Sequence, residues 1–516
     1  MFALRRLEDA EREGDAIYAV LRGVGTSSDG RSRSIYAPRS DGQAAALRRA
    51  YAVAGYGPGS VELMEAHGTG TVAGDAAEVG GLKLVFASGE RSEGAWCALG
   101  SVKSQIGHTK AAAGAASMYK AIMALHHRVL PATINITRPN PALGLDDGPF
   151  YVNASPRPWI RGADHPRRAS VSSFGFGGSN YHLTLEEYCG AVRPLRVRTL
   201  DSELFLCSAA SPEALRVRLA AIASEATSHR AFVHAARESQ YAFRVADPVR
   251  LSLVARDVDD LAKLLRDALA LLERAPDKSV STPSGVVYAV GDAAAHPVAF
   301  VFPGQGSQYP GMGADLIIGF DAARAVWDRA VDDPDSAYAT LPWRVFPPAA
   351  FSDDERQAQT VQLRATDVAQ PAIGIASLAF LQMLVAVGVK PSALGGHSFG
   401  ELTALFAAGA LDIETFRFLA QRRGSVMAEA AYAAPGAGML AVFAPVESVR
   451  AVLATLDAEL VIANENAPDQ QVVAGTLDAI DRVALAFKER AIETRRLDVA
   501  TAFHSPVVHG AVPVFA

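Results

Sequence analysis

An α/β protein of roughly three domains is what this sequence predicts. Three observations carry that expectation. Short apolar, β-branched runs alternate with helical patterns along most of the chain. Glycine-rich turns close several of the strand-like runs. The 516 residues, half of them apolar and a fifth charged, also suffice for several separate cores.

Over residues 1–190 the strand-like stretches IYAVLRGV, VELMEA and CALGSV are separated by helical ones such as AAALRRAYAVAG. The block ends in SVSSFGFGGSNYHLTLEEY, which reads as a glycine-rich loop leading into an alternating strand. Composition shifts over 191–294. There LFLCSAA, SPEALRVRLAAIA with a serine N-cap, and VRLSLVARDVDDLAKLLRDALALLE read as strand, helix, strand, helix, followed by the polar APDKSVSTPSG. No chemistry-bearing motif falls inside this block, which reads as a folded adaptor. The last block, 295–516, opens on a buried-strand pattern and the loop FPGQGSQYPGMG. It continues through the helix QPAIGIASLAFLQMLVAVG to the short strand SALGG. From about 437 to 500 the order is strand, helix, strand, strand, helix, strand, the ferredoxin-like pattern, inserted between two pieces of the block.

The net charge of −6 lacks the basic excess that a nucleic-acid partner requires. Cys97, Cys189 and Cys207 are too few and scattered for a disulfide framework or a zinc site. The first residues, MFALRRLEDAEREGDA, are charged too early for a signal peptide, and no apolar run reaches the ~18 residues of a membrane span. A reducing, cytoplasmic setting without membrane attachment is expected.

GGHSFGEL, residues 395–402, sets Ser398 on a strand-to-helix turn between small neighbours. Such a turn projects a hydroxyl above free helix N–H groups, although a structural loop serine fits the same pattern. FPGQGSQ (302–308) is a second glycine-rich loop whose backbone at Gln305 could donate to an oxyanion. It lacks the Lys-Ser/Thr ending of a phosphate loop. His504, in TAFHSP, occupies a loop position suited to a base. Arg423 shares a helix face with Phe416, Leu419, Ala420 and Met427. A cation in an apolar stripe needs an anion, from a structural ion pair or from a ligand.

Taken together and in this order, FPGQGSQYPGMG, GHSFGELTALFAAGAL, RRGSVM and TAFHSP resemble the malonyl-CoA:acyl-carrier-protein transacylases and the acyltransferase domains of polyketide synthases. The resemblance implies that Ser398 carries malonyl as an ester with His504 as general base. It also implies that Arg423 holds the malonyl carboxylate and that the N–H groups of Gln305 and Phe399 form the oxyanion hole. Phe503 is similar to the bulky residue that accompanies malonyl over methylmalonyl preference. No covalently bound cofactor is implied; malonyl-CoA is the substrate and the acceptor is phosphopantetheine on a separate acyl carrier protein.

EAHGTGT (65–71) and GSVKSQIGHTKAAAG (100–114) each place a histidine in a glycine-rich turn after an apolar run. The spacing of Gly68, Gly70 and Gly74 misses the dinucleotide fingerprint by one residue. No spacing supports a metal site made with Glu65 or Asp75. With SSFGFGGSN (172–180), these segments are similar to the C-terminal half of β-ketoacyl synthases, of thiolase-type fold. That implies that His67 and His108 bind the malonyl thioester carbonyl, that Lys103 orients them, and that Phe176 lies at the acyl-channel gate. The wording of both blocks looks closest to iterative synthases, the polyunsaturated-fatty-acid and enediyne-type polyketide enzymes. The family's nucleophilic cysteine precedes both histidines, and no cysteine precedes His67 here. The chain stops at Ala516, twelve residues beyond His504. The expectation is therefore a fragment: half a ketosynthase unable to condense alone, and most of an acyltransferase. Its partners would be an acyl carrier protein and the other domains of a synthase that is a homodimer at full length. A GxSxG serine hydrolase, with Asp498 as carboxylate, and a non-catalytic assembly piece are the competing readings.

Overall fold

The computed structural model describes residues 1–30, 37–87, 94–146, 148–191, 201–293, 297–433, 436–456, 458–497, 499 and 501–515. The chain divides into two compact units, one formed by 1–196 together with 299–516 and the other by 197–298.

In the first unit, six strands pair among the described residues in the order Val20–Ser28, Ser179–Glu186, Arg168–Gly175, Leu63–Glu65, Cys97–Gly100, Phe150–Val152. The central pairs are parallel, and Leu63–Glu65 and Cys97–Gly100 are buried at every position. Continuous apolar runs such as these suit parallel strands covered on both faces. Leu47, Tyr51, Met64, Leu82, Phe86 and Phe150 pack on one side. Ala121, Leu125, Trp159, Val171 and Leu185 pack on the other. Helix Ser40–Ala54 lies so close to the edge strand that a Cβ on Gly25 would sit 1.9 Å from the Ala46 carbonyl oxygen. The stretch 168–186 differs from its sequence reading. Strand structure already begins at Arg168, and only Phe176–Gly178 turns. Two of its serines are buried but satisfied, Ser170 by Tyr51 at 3.0 Å and Ser172 by His182 Nδ1 at 3.0 Å. Hydrogen bonding, not hydrophobicity, places them in the ladder.

Within the same unit, strand Ala299–Phe302 runs parallel to Ala393–Gly396. Helices Asp321–Ala330, Thr366–Ala386, Gly400–Ala407 and Ile413–Ala433 follow in chain order. Thr366–Ala386 is the one helix among the described residues long and apolar enough to cross a membrane, and 61% of that window is buried in the fold, as in a core helix. Strands Ala437–Val442, Leu460–Ala467, Gln470–Thr476 and Thr494–Leu497 form an antiparallel sheet in ferredoxin-like order, the second, third, first and fourth strands side by side. Helices Val446–Leu453 and Leu477–Glu489 make the crossovers.

A charge network invisible to sequence periodicity joins the N-terminal sheet to helix Asp321–Ala330. Arg167, 1% exposed, donates to Glu187 at 2.8 Å, to both Asp328 oxygens at 2.7 and 2.8 Å, and to the Trp159 carbonyl at 2.7 Å. Arg128 adds a second cation to Glu187 at 2.7 Å. Arg167→Met is expected to cost about 3 kcal/mol, because it strips a cation from two desolvated carboxylates. A shift of the denaturant midpoint measures this; an unchanged midpoint would show that the network does not hold these elements together. Burial alone would raise the Glu187 pKa, but Arg167 and Arg128 outweigh it and hold the group at about 2. The contribution of Glu187 is therefore full above its ordinary value of about 4.5 and is lost as pH falls toward 2.

In the second unit, strands Val280–Ser281, Val287–Val290, Val249–Ala255 and Glu203–Ala209 form an antiparallel sheet in that order. Ser211 caps helix Pro212–Glu225, accepting from Ala214 N at 3.2 Å. Helix Val258–Arg274 buries Leu261, Leu264, Leu265 and Leu272 against the sheet. Helix His229–Ala242 and the two short strands near 280–290 were absent from the sequence reading; the strands are too short to carry a period.

Candidate active site

Ser398 follows strand Ala393–Gly396 with φ +53°, a left-handed conformation that is unfavourable for a residue bearing a Cβ. The crowding around it explains the glycines. A Cβ on Gly396 would sit 2.1 Å from Gly400 C, and one on Gly400 would sit 2.1 Å from the Phe302 carbonyl oxygen. On Gly304 a Cβ would meet the His397 carbonyl oxygen at 2.5 Å, so the FPGQG loop lies directly on the elbow. Gly400 N donates to His397 O at 2.9 Å and Glu401 N to Ser398 O at 3.1 Å, starting helix Gly400–Ala407. The Phe399 side chain is fully buried against Ile373, Leu378, Phe416 and Ala420, which anchors the turn from below.

His504 reaches the elbow from the other end of the block, with Ser398 Oγ and His504 Nε2 2.7 Å apart. His504 also has positive φ, +54°, so two of the six such non-glycine residues among the described residues form this one pair. Strain of this kind gathers at sites that position reacting groups. Burial, then the neighbouring Arg423 charge, lowers the imidazole pKa. The ring is therefore neutral at neutral pH and free to accept the serine proton. Among the described residues the N–H groups of Gln305 and Phe399 have no protein acceptor.

Arg423 lies on helix Ile413–Ala433. A Cβ on the adjacent Gly424 would sit 2.9 Å from Thr366 O, so this helix packs tightly on Thr366–Ala386. That contact brings the guanidinium to Gln370, whose Oε1 accepts from Arg423 Nη1 at 2.8 Å. Among the described residues no carboxylate lies within ion-pairing distance of Arg423, which is half-buried. Phe503 packs with Val426, Met427, Met439 and Val472, between the Arg423 helix and the ferredoxin-like sheet. Two features escaped the sequence reading. One is Gln370. The other is a bond from His397 Nε2 to Asn466 Oδ1 (3.0 Å) that ties the elbow to the ferredoxin-like sheet. Asp498, the carboxylate of the hydrolase reading, lies outside the described residues.

The second constellation shares no residue with the first. His67 and His108 stand edge to face with centroids 5.5 Å apart. Lys110 N donates to His108 Nδ1 at 3.0 Å, so neutral His108 carries its proton on Nε2. Burial, then Lys103 and His108, lowers His67 to about 4, which leaves it neutral. Lys103 Nζ is buried without a hydrogen-bond partner among the described residues, and burial lowers its pKa. Glu78 accepts from His67 N and Gly68 N at 2.7 and 2.8 Å and shapes the loop. Burial raises Glu78 to about 7. Phe176, at the hairpin tip, is 82% exposed and lines a cavity of about 150 Å³ with His67, Phe174 and Asn180. The carboxylates weighed for a metal are otherwise engaged. Glu65 binds Lys120 Nζ at 2.9 Å, and Asp75 accepts from Gly70 N at 3.1 Å. Cys97 is buried in its strand, where desolvation pushes its thiol pKa up and away from thiolate.

An elbow serine paired with a histidine, beside a second site built around two histidines, is the arrangement of an acyl-transfer enzyme joined to a ketosynthase segment. Comparison with known proteins gives the same division. Residues 18–137 match the beta-ketoacyl synthase C-terminal domain, 139–244 the ketoacyl-synthetase C-terminal extension, and 299–516 the acyl transferase domain. A polyunsaturated fatty acid synthase chain of Thraustochytrium sp. is 34% identical over 100% of this chain and 19% of its own. Mycoketide-CoA synthase of Mycobacterium tuberculosis is 35% identical over 100% of this chain and 12% of its own. The solved acyltransferase domain of the iterative polyketide synthase in enediyne biosynthesis is 30% identical, with 61% of this chain and 70% of that one covered and a TM-score of 0.46. The chain carries a beta-ketoacyl synthase C-terminal domain, its C-terminal extension and an acyl transferase domain, and the relatives it resembles are polyketide and polyunsaturated-fatty-acid synthases. It spans 19% and 12% of the lengths of the two curated relatives named here.

Proposed function

We propose that the acyltransferase region moves a malonyl group from malonyl-CoA to the phosphopantetheine thiol of an acyl carrier protein, through an ester on Ser398. Ser398 Oγ attacks the thioester carbonyl while His504 Nε2 takes its proton. The N–H groups of Gln305 and Phe399 hold the resulting oxyanion. On collapse the C–S bond breaks, and His504 returns the proton to the departing CoA thiolate. The carrier thiol then attacks the ester by the reverse sequence. Arg423 grips the distal carboxylate and Phe503 walls the acyl group. One observation carries the malonyl assignment: among the described residues, a half-buried guanidinium whose charge acts on His504 has a neutral amide as its only hydrogen-bonded partner. The fork of a guanidinium matches a carboxylate with two parallel bonds.

In the intact synthase, His67 and the His108 Nε2–H stabilise the enolate left when a malonyl thioester loses CO2. Lys103 orients them and Phe176 borders the acyl channel. The carrier protein, the remaining synthase domains and a second copy in a homodimer are the partners of that assembly.

Incubation of the chain with malonyl-CoA and a phosphopantetheinylated carrier protein, read by intact mass, tests the transfer. Malonyl is expected on the chain first and on the carrier thiol next. Release as free malonate in preference to transfer would favour hydrolysis and overturn the proposal.

A further inference from the structure

Gln370 is fully buried on helix Thr366–Ala386, between two groups that the proposed transfer uses. A guanidinium can only donate, so the 2.8 Å bond from Arg423 Nη1 fixes the Gln370 oxygen toward the arginine. Gln370 Nε2 then faces Gln305 Oε1 at 3.1 Å and Met427 Sδ at 3.5 Å. Gln305 Nε2 in turn donates to Thr366 Oγ1 at 3.1 Å. Every donor in this row points away from the cation, and a single charge sets the orientation of both amides.

Two consequences follow from chemistry alone. A neutral acceptor keeps Arg423 in place without cancelling its charge. Glu401 acts on that charge from beyond ion-pairing distance, so a direct carboxylate contact is made only when an anionic acyl group enters. The same amide also tethers the arginine to Gln305, next to Gly304, whose backbone lies directly against the elbow. We propose that Gln370 is a positioning and specificity-determining residue: it reserves Arg423 for a carboxylate-bearing acyl group and links that recognition to the oxyanion loop. This rests on the reading of Arg423 given above.

Gln370→Glu supplies the missing anion with almost no change of shape. The row can invert around it, since the Gln305 amide can rotate and the Thr366 hydroxyl can donate. Acyl-enzyme formation on the full chain, quenched and read by intact mass with malonyl-CoA and acetyl-CoA, measures the effect. We expect kcat/KM for malonyl to fall at least ~30-fold, chiefly through KM, while acetyl stays within about 3-fold of wild type. Gln370→Met, which breaks the tether without adding charge, is expected to lower kcat for both donors about 10-fold. A melting curve for each variant establishes folding. If Gln370→Glu keeps the wild-type malonyl-to-acetyl ratio while Arg423→Ala changes it, the role of Gln370 is overturned and that of Arg423 stands. If neither substitution changes the ratio, both fall. Should the glutamate variant fail to fold, unchanged kcat for both donors in Gln370→Met refutes the tether.

Discussion

Ser398→Ala is expected to abolish acyl-enzyme formation from malonyl-CoA, lowering transfer at least about a thousandfold. Among the described residues no other hydroxyl is held 2.7 Å from His504, on a turn whose Phe399 N–H and the facing loop's Gln305 N–H have no protein acceptor. Alanine tolerates the φ of +53° as well or as poorly as serine, so the elbow keeps its shape and the loss reports chemistry. His504→Ala should be nearly as damaging, and the double variant little worse than either, because residues acting as one unit are not additive. Intact mass after incubation with malonyl-CoA is the measurement. A full malonyl adduct on the Ser398→Ala chain would place the nucleophile elsewhere and remove the basis of the proposed mechanism.

The Ser398 elbow was legible in the sequence because its geometry is enforced locally, whereas its pairing with His504, 106 positions on, was expected only from the family resemblance. Gly396 and Gly400 are required within four residues of each other. The first N–H groups of the helix that follows, however, are taken by the His397, Ser398 and Phe399 carbonyls, so the free helix N–H groups expected below the serine are not there. The ferredoxin-like order was legible for a similar reason, since all of its elements but the four-residue strand Thr494–Leu497 are long enough to show their own period. What escaped were features whose cause lies far along the chain. Arg167 and Asp328 are 161 positions apart, and nothing periodic announces that they meet. Gln370 sits in a run that reads as plain apolar helix, and its meaning appears only when Arg423, 53 positions on, packs against it. The hairpin at 168–186 was misread because buried serines look like loop residues until their partners, Tyr51 and His182, are in place. Burial and periodicity are written locally; polar satisfaction is written between distant segments.

Arg423→Ala should separate binding of the acyl tail from the chemistry at its thioester. In the wild-type site the guanidinium has no carboxylate within ion-pairing distance among the described residues, Glu401 acting on it only from farther away, so an acetyl donor leaves it without a direct anion. A malonyl donor gives it a bidentate partner in a partly desolvated place, an interaction whose loss costs roughly 2 kcal/mol or more. The variant is therefore expected to lose about 30-fold or more in kcat/KM for malonyl-CoA, with little loss or a gain for acetyl-CoA. A second readout follows from electrostatics. After burial, Arg423 is the next cause of the lowered His504 pKa. Removing that charge lets the imidazole pKa rise, so the acid limb of kcat/KM with acetyl-CoA should move to higher pH. A purely structural role would weaken both donors alike and leave that limb in place. Unchanged donor preference together with an unmoved acid limb would deny Arg423 any part in reading the acyl group, and the malonyl assignment would go with it.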